Sequence, residues 1–316
     1  MAAGAVMKKL LSLVISLGLL AVLYWKIDFA RLLPVFAGCD RMWMASSLGM
    51  VVPLTLLTAW RLQQLMPRAG LLGFGEATRL ILVASVLNLV LPSKMGDIAK
   101  AWFMRDRAGL GGSLALSLVV FEKTCDMLSL LLWCALGLAI YPGKDAAFWV
   151  MTAVVGGMLL FGCLLLGSEK FARLFFRIAE RLAPGKIGAK FAKLGASWSE
   201  MHAYFWQSRA RFFRVAATSI GIWFLHLLQI WMFILALRAF APFLANLALS
   251  PLAILAGLFP LTFAGIGTRD AALVFFYSPY FDAPTAAALG LLCTARYLLP
   301  ALGGLPFAGP YLRSSR

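Results

Sequence analysis

The stretch NLVLPSKMGD (residues 88–97) closes an apolar run that begins at Leu80 and stops at Pro92. Proline supplies no backbone N–H and clashes with the preceding turn, and Lys94, Gly96 and Asp97 follow at once. A helix over 78–92 measures about 20 Å at ~1.5 Å per residue, short of the ~30 Å hydrocarbon core of a bilayer. Whether this segment crosses or turns back sets the side of the membrane on which everything after it lies.

Composition makes a membrane the setting. Of 316 residues, 62% are hydrophobic and 13% charged, with a mean hydropathy of +0.88. A soluble chain of this length needs more polar surface. The net charge of +16 suits cytoplasmic loops facing anionic lipid headgroups. No nucleic-acid-binding motif accompanies it, so nucleic acid is not an expected partner. The five cysteines lack CxxC spacing, and His202 and His226 are too few for a histidine-based metal site. No GxxxxGK[ST] loop appears, so ATP is not expected to act directly. No cofactor is expected.

The sequence predicts an all-α, polytopic membrane helix bundle forming a single integral membrane domain over 1–316. Runs at 8–25, 42–60, 113–140, 146–167, 212–237 and 286–312 are long enough to cross. The first follows Lys8 and Lys9 with no cleavage site, which predicts an uncleaved helix with a cytoplasmic N-terminus. Two runs are awkward: 78–92 is short, and 246–264 is interrupted by Pro251, Gly257 and Pro260.

Basic residues decide between crossing and re-entry. The connection 169–214 carries Lys170, Arg173, Arg177, Arg181, Lys186, Lys190, Lys193, Arg209, Arg211 and Arg214 against three acids. A full crossing at 78–92 puts this loop outside, together with Lys94, Lys100, Arg105 and Arg107. Re-entry from the cytoplasm keeps both basic loops inside. The same argument turns 246–264 into a re-entrant segment from the outside and leaves Arg313 and Arg316 cytoplasmic. Within 169–214, Phe171, Leu174, Phe175, Ile178 and Leu182 recur at helical spacing beside Arg173, Arg177 and Arg181. That pattern predicts an amphipathic helix on the inner surface or capping the bundle.

The two interrupted regions resemble each other. LPSKMGDIAKAW (91–102) and FPLTFAGIGTRDAAL (259–273) each place a proline, glycine, an acid and a base at the start of a new helix. With opposite entry sides, residues 42–140 and 212–312 become inverted repeats, whose broken helices commonly build transporter sites at mid-depth. Gly96, Gly265 and Gly267 permit turns and close approach. Helices restarting near Gly96 and Gly267 would aim N-terminal N–H groups inward, which suits a phosphate.

Charged residues inside apolar runs complete the candidate site. Arg61 ends the second run, Glu122, Lys123 and Asp126 lie within 113–140, and Arg296 within the last. Each costs ~2.5–3.5 kcal/mol on insertion scales unless paired or hydrated. Glu122 and Asp126 share a helix face. They either pair with Arg269, Lys94 or Arg296 to hold the hairpins, or line a cavity whose bases hold an anionic headgroup. Arg61 either snorkels to the interface or joins that cavity. Asn88 either caps exposed backbone or touches a ligand. With Lys94, Gly96, Asp97, Lys100, Gly265, Gly267 and Asp270, these residues form the candidate substrate-binding and transport set.

Arg61, NLVLPSKMGDIAKAW, FEKTCD, PLTFAGIGTRDAAL and ARYLLP, in that order, resemble the lysylphosphatidylglycerol synthase transmembrane-domain family. This is the flippase-like membrane half of the multiple peptide resistance factor proteins. Asp97, Glu122, Lys123, Asp126, Arg269 and Asp270 match its P-x-x-x-G-(D/E), E-(R/K)-x-x-D and G-hydrophobic-G-x-R-(D/E) patterns. The resemblance implies a bacterial inner-membrane protein handling a phospholipid or other polar lipid. Full-length resistance factors add an aminoacyl-transferase domain that these 316 residues do not contain, so the lipid stays unnamed. Three functions remain open: a flippase or scramblase, a scaffold recruiting a lipid synthase or glycosyltransferase, and an intramembrane lipid-modifying enzyme using Glu122 and Asp126 as acid and base.

Overall fold

The computed structural model describes residues 32–67, 71–90, 96–140, 144, 146–183, 185–258 and 267–313. The predicted span at 8–25, and the positions Lys94 and Gly265, lie outside the described residues. The described chain forms α1 (Leu32–Ala37), α2 (Arg41–Gly49), α3 (Val51–Leu65), α4 (Phe74–Val90), α5 (Gly96–Ala108), α6 (Gly112–Ile140) and α7 (Ala146–Gly167). It continues with α8 (Glu169–Leu182), α9 (Lys186–Trp206), α10 (Arg209–Ala236), α11 (Phe243–Gly257), α12 (Thr268–Tyr277) and α13 (Ala283–Arg313). The protein is an all-α polytopic membrane bundle. Many large exposed side chains are apolar, among them Trp149, Val150 and Leu160 on α7, as a lipid-facing surface requires.

Local sequence explains the boundaries. Asp40 caps α2 by accepting from the N–H groups of Met42 and Trp43. Met50 keeps a helical backbone, so α2 and α3 make one span over Arg41–Leu65. Pro53 has no N–H to offer the carbonyl four residues back, at Gly49, so the helical hydrogen-bond ladder lapses at Met50 while the backbone stays helical. Ser168 caps α8 by accepting from Phe171 N–H, with Glu169 in the first turn. In α5, Asp97 stands at the positive end of the dipole and Arg105 and Arg107 at the negative end.

The expected runs 42–60, 113–140, 146–167, 212–237 and 286–312 correspond to five helices long and apolar enough to cross. The two awkward runs are helices of 17 and 15 residues. One expectation is corrected: Pro251 does not interrupt the second run. It lies buried inside α11, which continues to Gly257.

Each short helix folds back on its successor. Glu76 near the start of α4 pairs with Arg107 at the end of α5 at 3.1 Å. The hydroxyl of Tyr277, last in α12, donates to Asn246 in the first turn of α11 at 3.0 Å. α9 anchors one end of the bundle. Tyr204 donates to the carbonyl of Leu65, ending α3, and Ser117 near the start of α6 donates to the carbonyl of Ser197. The end of α3 and the start of α6 therefore both meet α9.

Packing between elements follows a paired scheme. α4 packs on α13, and α11 packs on α6. α3 meets α4 as α10 meets α11, and α5 meets α6 as α12 meets α13. α3 and α10 touch each other. Two apolar cores result. One gathers Leu62, Leu80, Phe103, Phe121 and Phe205; the other gathers Leu130, Cys134, Phe233, Tyr277 and Leu289. The long helix α6 contributes to both, and its charged turn falls where they meet.

Candidate functional site

That turn carries FEKTCD (121–126). With 3.6 residues per turn, Glu122 and Asp126 point to one side. Arg61 reaches them from α3: its Nη2 donates to Glu122 Oε1 at 2.7 Å, and its Nη1 pairs with Asp126. Nη1 also donates to Ser219 of α10 at 2.9 Å. From α5, Lys100 pairs with the other oxygen of Glu122 and lies 3.9 Å from Asp97. Lys123 pairs with Asp97 at 3.0 Å and with Asp126 at 3.6 Å.

These contacts close into a ring: Arg61, Glu122, Lys100, Asp97, Lys123, Asp126 and back to Arg61. Positive and negative groups alternate, so each charge has two opposite neighbours and the ring is neutral. Arg61, Lys100 and Glu122 are at most 2% exposed. Burial of this kind is tolerable only when every charge is paired and hydrogen-bonded. The sequence-based pairing is corrected here. Among the described residues Glu122 and Asp126 pair with Arg61, Lys100 and Lys123, not with Arg269 or Arg296. Arg61 does not snorkel to an interface; it is the buried hub.

Arg269 plays a different part. Its Nη2 donates to Asp270 at 2.7 Å, to the carbonyl of Gly290 at 3.0 Å and to Thr294 at 2.7 Å. It thereby ties the start of α12 to α13. Asp270 turns back and accepts from Gly267 N–H at 3.0 Å. The expected inward helix terminus at α12 is thus met by the protein's own carboxylate. Gly267 has φ 99°, a backbone region that suits glycine. At the other break, a Cβ on Gly96 would overlap the backbone of Ala84 and Asn88 in α4.

Arg61, Asn88, Asp97, Lys100, Glu122, Lys123, Asp126, Arg269 and Arg296 all line one cavity of about 440 Å3. Gly96 and Gly267 are not among its lining residues, and Asp270 pairs with Arg269. Several groups in the cavity keep buried polar atoms with no hydrogen bond among the described residues: one nitrogen of Arg61 (Nε), Oε1 of Gln229, Oδ1 of Asn88, and both Nε and Nη1 of Arg296. Among the described residues Arg296 donates to Tyr297, at 3.0 Å, and lies over that ring. With the ring neutral and Arg269 matched by Asp270, Arg296 is the one cavity cation with no carboxylate partner among the described residues. Ser219, Thr294 and Tyr297 also belong to the site. Ser and Thr inside apolar helices are common, so the sequence carries no signal that singles them out.

A multi-pass helix bundle with hydrophobic outer faces and a charged internal cavity defines a polytopic membrane domain. Residues 9–304 match the family described as Lysylphosphatidylglycerol synthase TM region, and the chain belongs to it. A comparison with curated proteins returns no match.

Proposed function

We propose that the protein moves a polar or phospholipid headgroup across the bacterial inner membrane through this cavity, as a flippase or scramblase not driven directly by ATP. The observation that carries the reading is Arg296, a buried guanidinium in the cavity with open donors. Arginine presents a planar fork suited to phosphate oxygens. The ring supports passage as well as binding. Because each member has two partners, an incoming phosphate or amine replaces one of them without leaving any charge isolated.

The element scheme supports two inverted repeats, 42–140 and 212–312, with α4–α5 re-entrant from the cytoplasm and α11–α12 from outside. Backbone freed at the breaks then faces the cavity rather than lipid. Lipid modification is the weaker reading, because Glu122 and Asp126 are already held by Arg61, Lys100 and Lys123.

The test is reconstitution of the purified protein into vesicles with fluorescent phosphatidylglycerol or its aminoacylated form, followed by an outer-leaflet quencher. Quencher-accessible dye should rise past the outer-leaflet fraction, and Arg296→Gln should slow that rise roughly tenfold, the effect of losing about 1.4 kcal/mol of charge-assisted bonding. No movement of either lipid by folded wild-type protein refutes the reading.

A further inference from the structure

The charged cavity has an apolar neighbour. A groove of about 580 Å3 runs between α6, α7 and α9, with Val120, Met127 and Leu131 on one wall, Met158 and Phe161 on another, and Trp198 closing it. Its volume falls within the ~300–1,000 Å3 of ligand pockets. Its charged lining consists of Asp97 and Lys123, and these two residues also line the charged cavity. Their 3.0 Å ion pair is therefore the partition between the two spaces.

The partition stands at the loosest corner of the ring. The Lys123 side chain is 45% exposed, against 2% for that of Lys100 and 3% for that of Arg61. The groove also opens sideways. Met158 and Phe161, on a helix that crosses the membrane, are 39% and 38% exposed, so the surrounding medium at the opening is lipid chain. Lys123 is 11 residues into α6, or about 16 Å from the α9 end of the helix, which is close to mid-depth. A long apolar trough ending in a half-exposed ammonium at mid-depth matches one occupant: an acyl chain joined to an anionic headgroup.

We propose that this groove holds an acyl chain of the transported lipid, and that the Lys123–Asp97 pair is the portal through which the headgroup passes into the charged cavity. The proposal rests on the transport reading above. The headgroup anion takes Asp97's place on Lys123, and Asp97 keeps Lys100 as its partner, so opening the portal strands neither charge.

The experiment places the whole protein in vesicles containing phosphatidylglycerol with a photoreactive diazirine on its acyl chain, and maps adducts by mass spectrometry. Adducts should concentrate on Met127, Met158 and Phe161, severalfold above Leu160 and Leu164, which are exposed on α7 but outside the groove. Met158→Trp and Thr124→Trp, two independent ways of filling the groove, should lower both adducts and lipid movement severalfold. Arg296→Gln should slow movement and leave the adducts in place. Adducts spread evenly over exposed α7 residues overturn the proposal. So do groove-filled variants that lose adducts but move lipid at the wild-type rate. Groove adducts in a wild-type protein that moves no lipid support the acyl site and overturn both the portal and the transport reading.

Discussion

Glu122 shows what one carboxylate does in this bundle. It is 1% exposed and accepts from both Arg61 and Lys100. Neutralising it leaves, among the described residues, one carboxylate for each cation: Asp97, 3.9 Å away, for Lys100 and Asp126 for Arg61. Breaking a buried pair costs about 3–5 kcal/mol because it strands a desolvated charge, and the charges Glu122 would strand, Arg61 and Lys100, are 3% and 2% exposed against 14% and 20% for Asp97 and Asp126 beside Lys123. Glu122→Gln should therefore lower the thermal unfolding temperature in detergent strongly, and Lys123→Met, at the exposed corner, should lower it much less. Equal effects would mean that the ring is not the stabilising unit. The charged members of the site were legible because each interrupts an apolar run. Their partners were not. Arg61 and Glu122 are 61 positions apart, and the packing of α10 against both α3 and α6 brings them together. No period or motif in the sequence reports such a distance.

The two short helices depend on how closely the long ones approach them. A Cβ on Gly137 of α6 would lie 2.6 Å from the backbone of Ala248 in α11, and one on Gly304 of α13 would overlap the backbone of Leu82 in α4. These are equivalent places in the paired scheme: the last helix of one set against the first hairpin helix of the other. Backbone cannot yield as a side chain does, and overpacking costs about 1–3 kcal/mol or more. Gly137→Leu and Gly304→Leu should each reduce thermal stability by at least that much. Gly156→Leu should be near neutral, since nothing lies within 4 Å of its Cβ position. A large effect at only one of the first two would argue against equivalent repeats. At this scale, long apolar runs and helix restarts at Gly96 and Gly267 were readable from hydrophobicity and glycine placement. Pro251 misled because a proline's effect depends on its neighbours, and inside α11 the surrounding helices absorb it.

The arrangement of the whole molecule follows from which ends share a side. α9 touches the end of α3 and the start of α6, and α8–α9 lie between the end of α7 and the start of α10. Tyr311 near the end of α13 bonds Glu76 at the start of α4, and Arg107 lies 4.2 Å over its ring. That side gathers the basic surface of 169–214, and the proposed orientation places it in the cytoplasm, where Lys and Arg collect. Lys144, between α6 and α7, is exposed and belongs to the opposite side. In a background with the native cysteines replaced, Lys144→Cys should react with a membrane-impermeant maleimide in intact cells. Arg177→Cys should react only after permeabilisation. Reaction of Arg177→Cys in intact cells would invert the bundle and remove the charge argument for re-entry. The reverse pattern leaves α4–α5 opening to the cytoplasm, on the side where its closing ion pair, Glu76–Arg107, meets the end of α13.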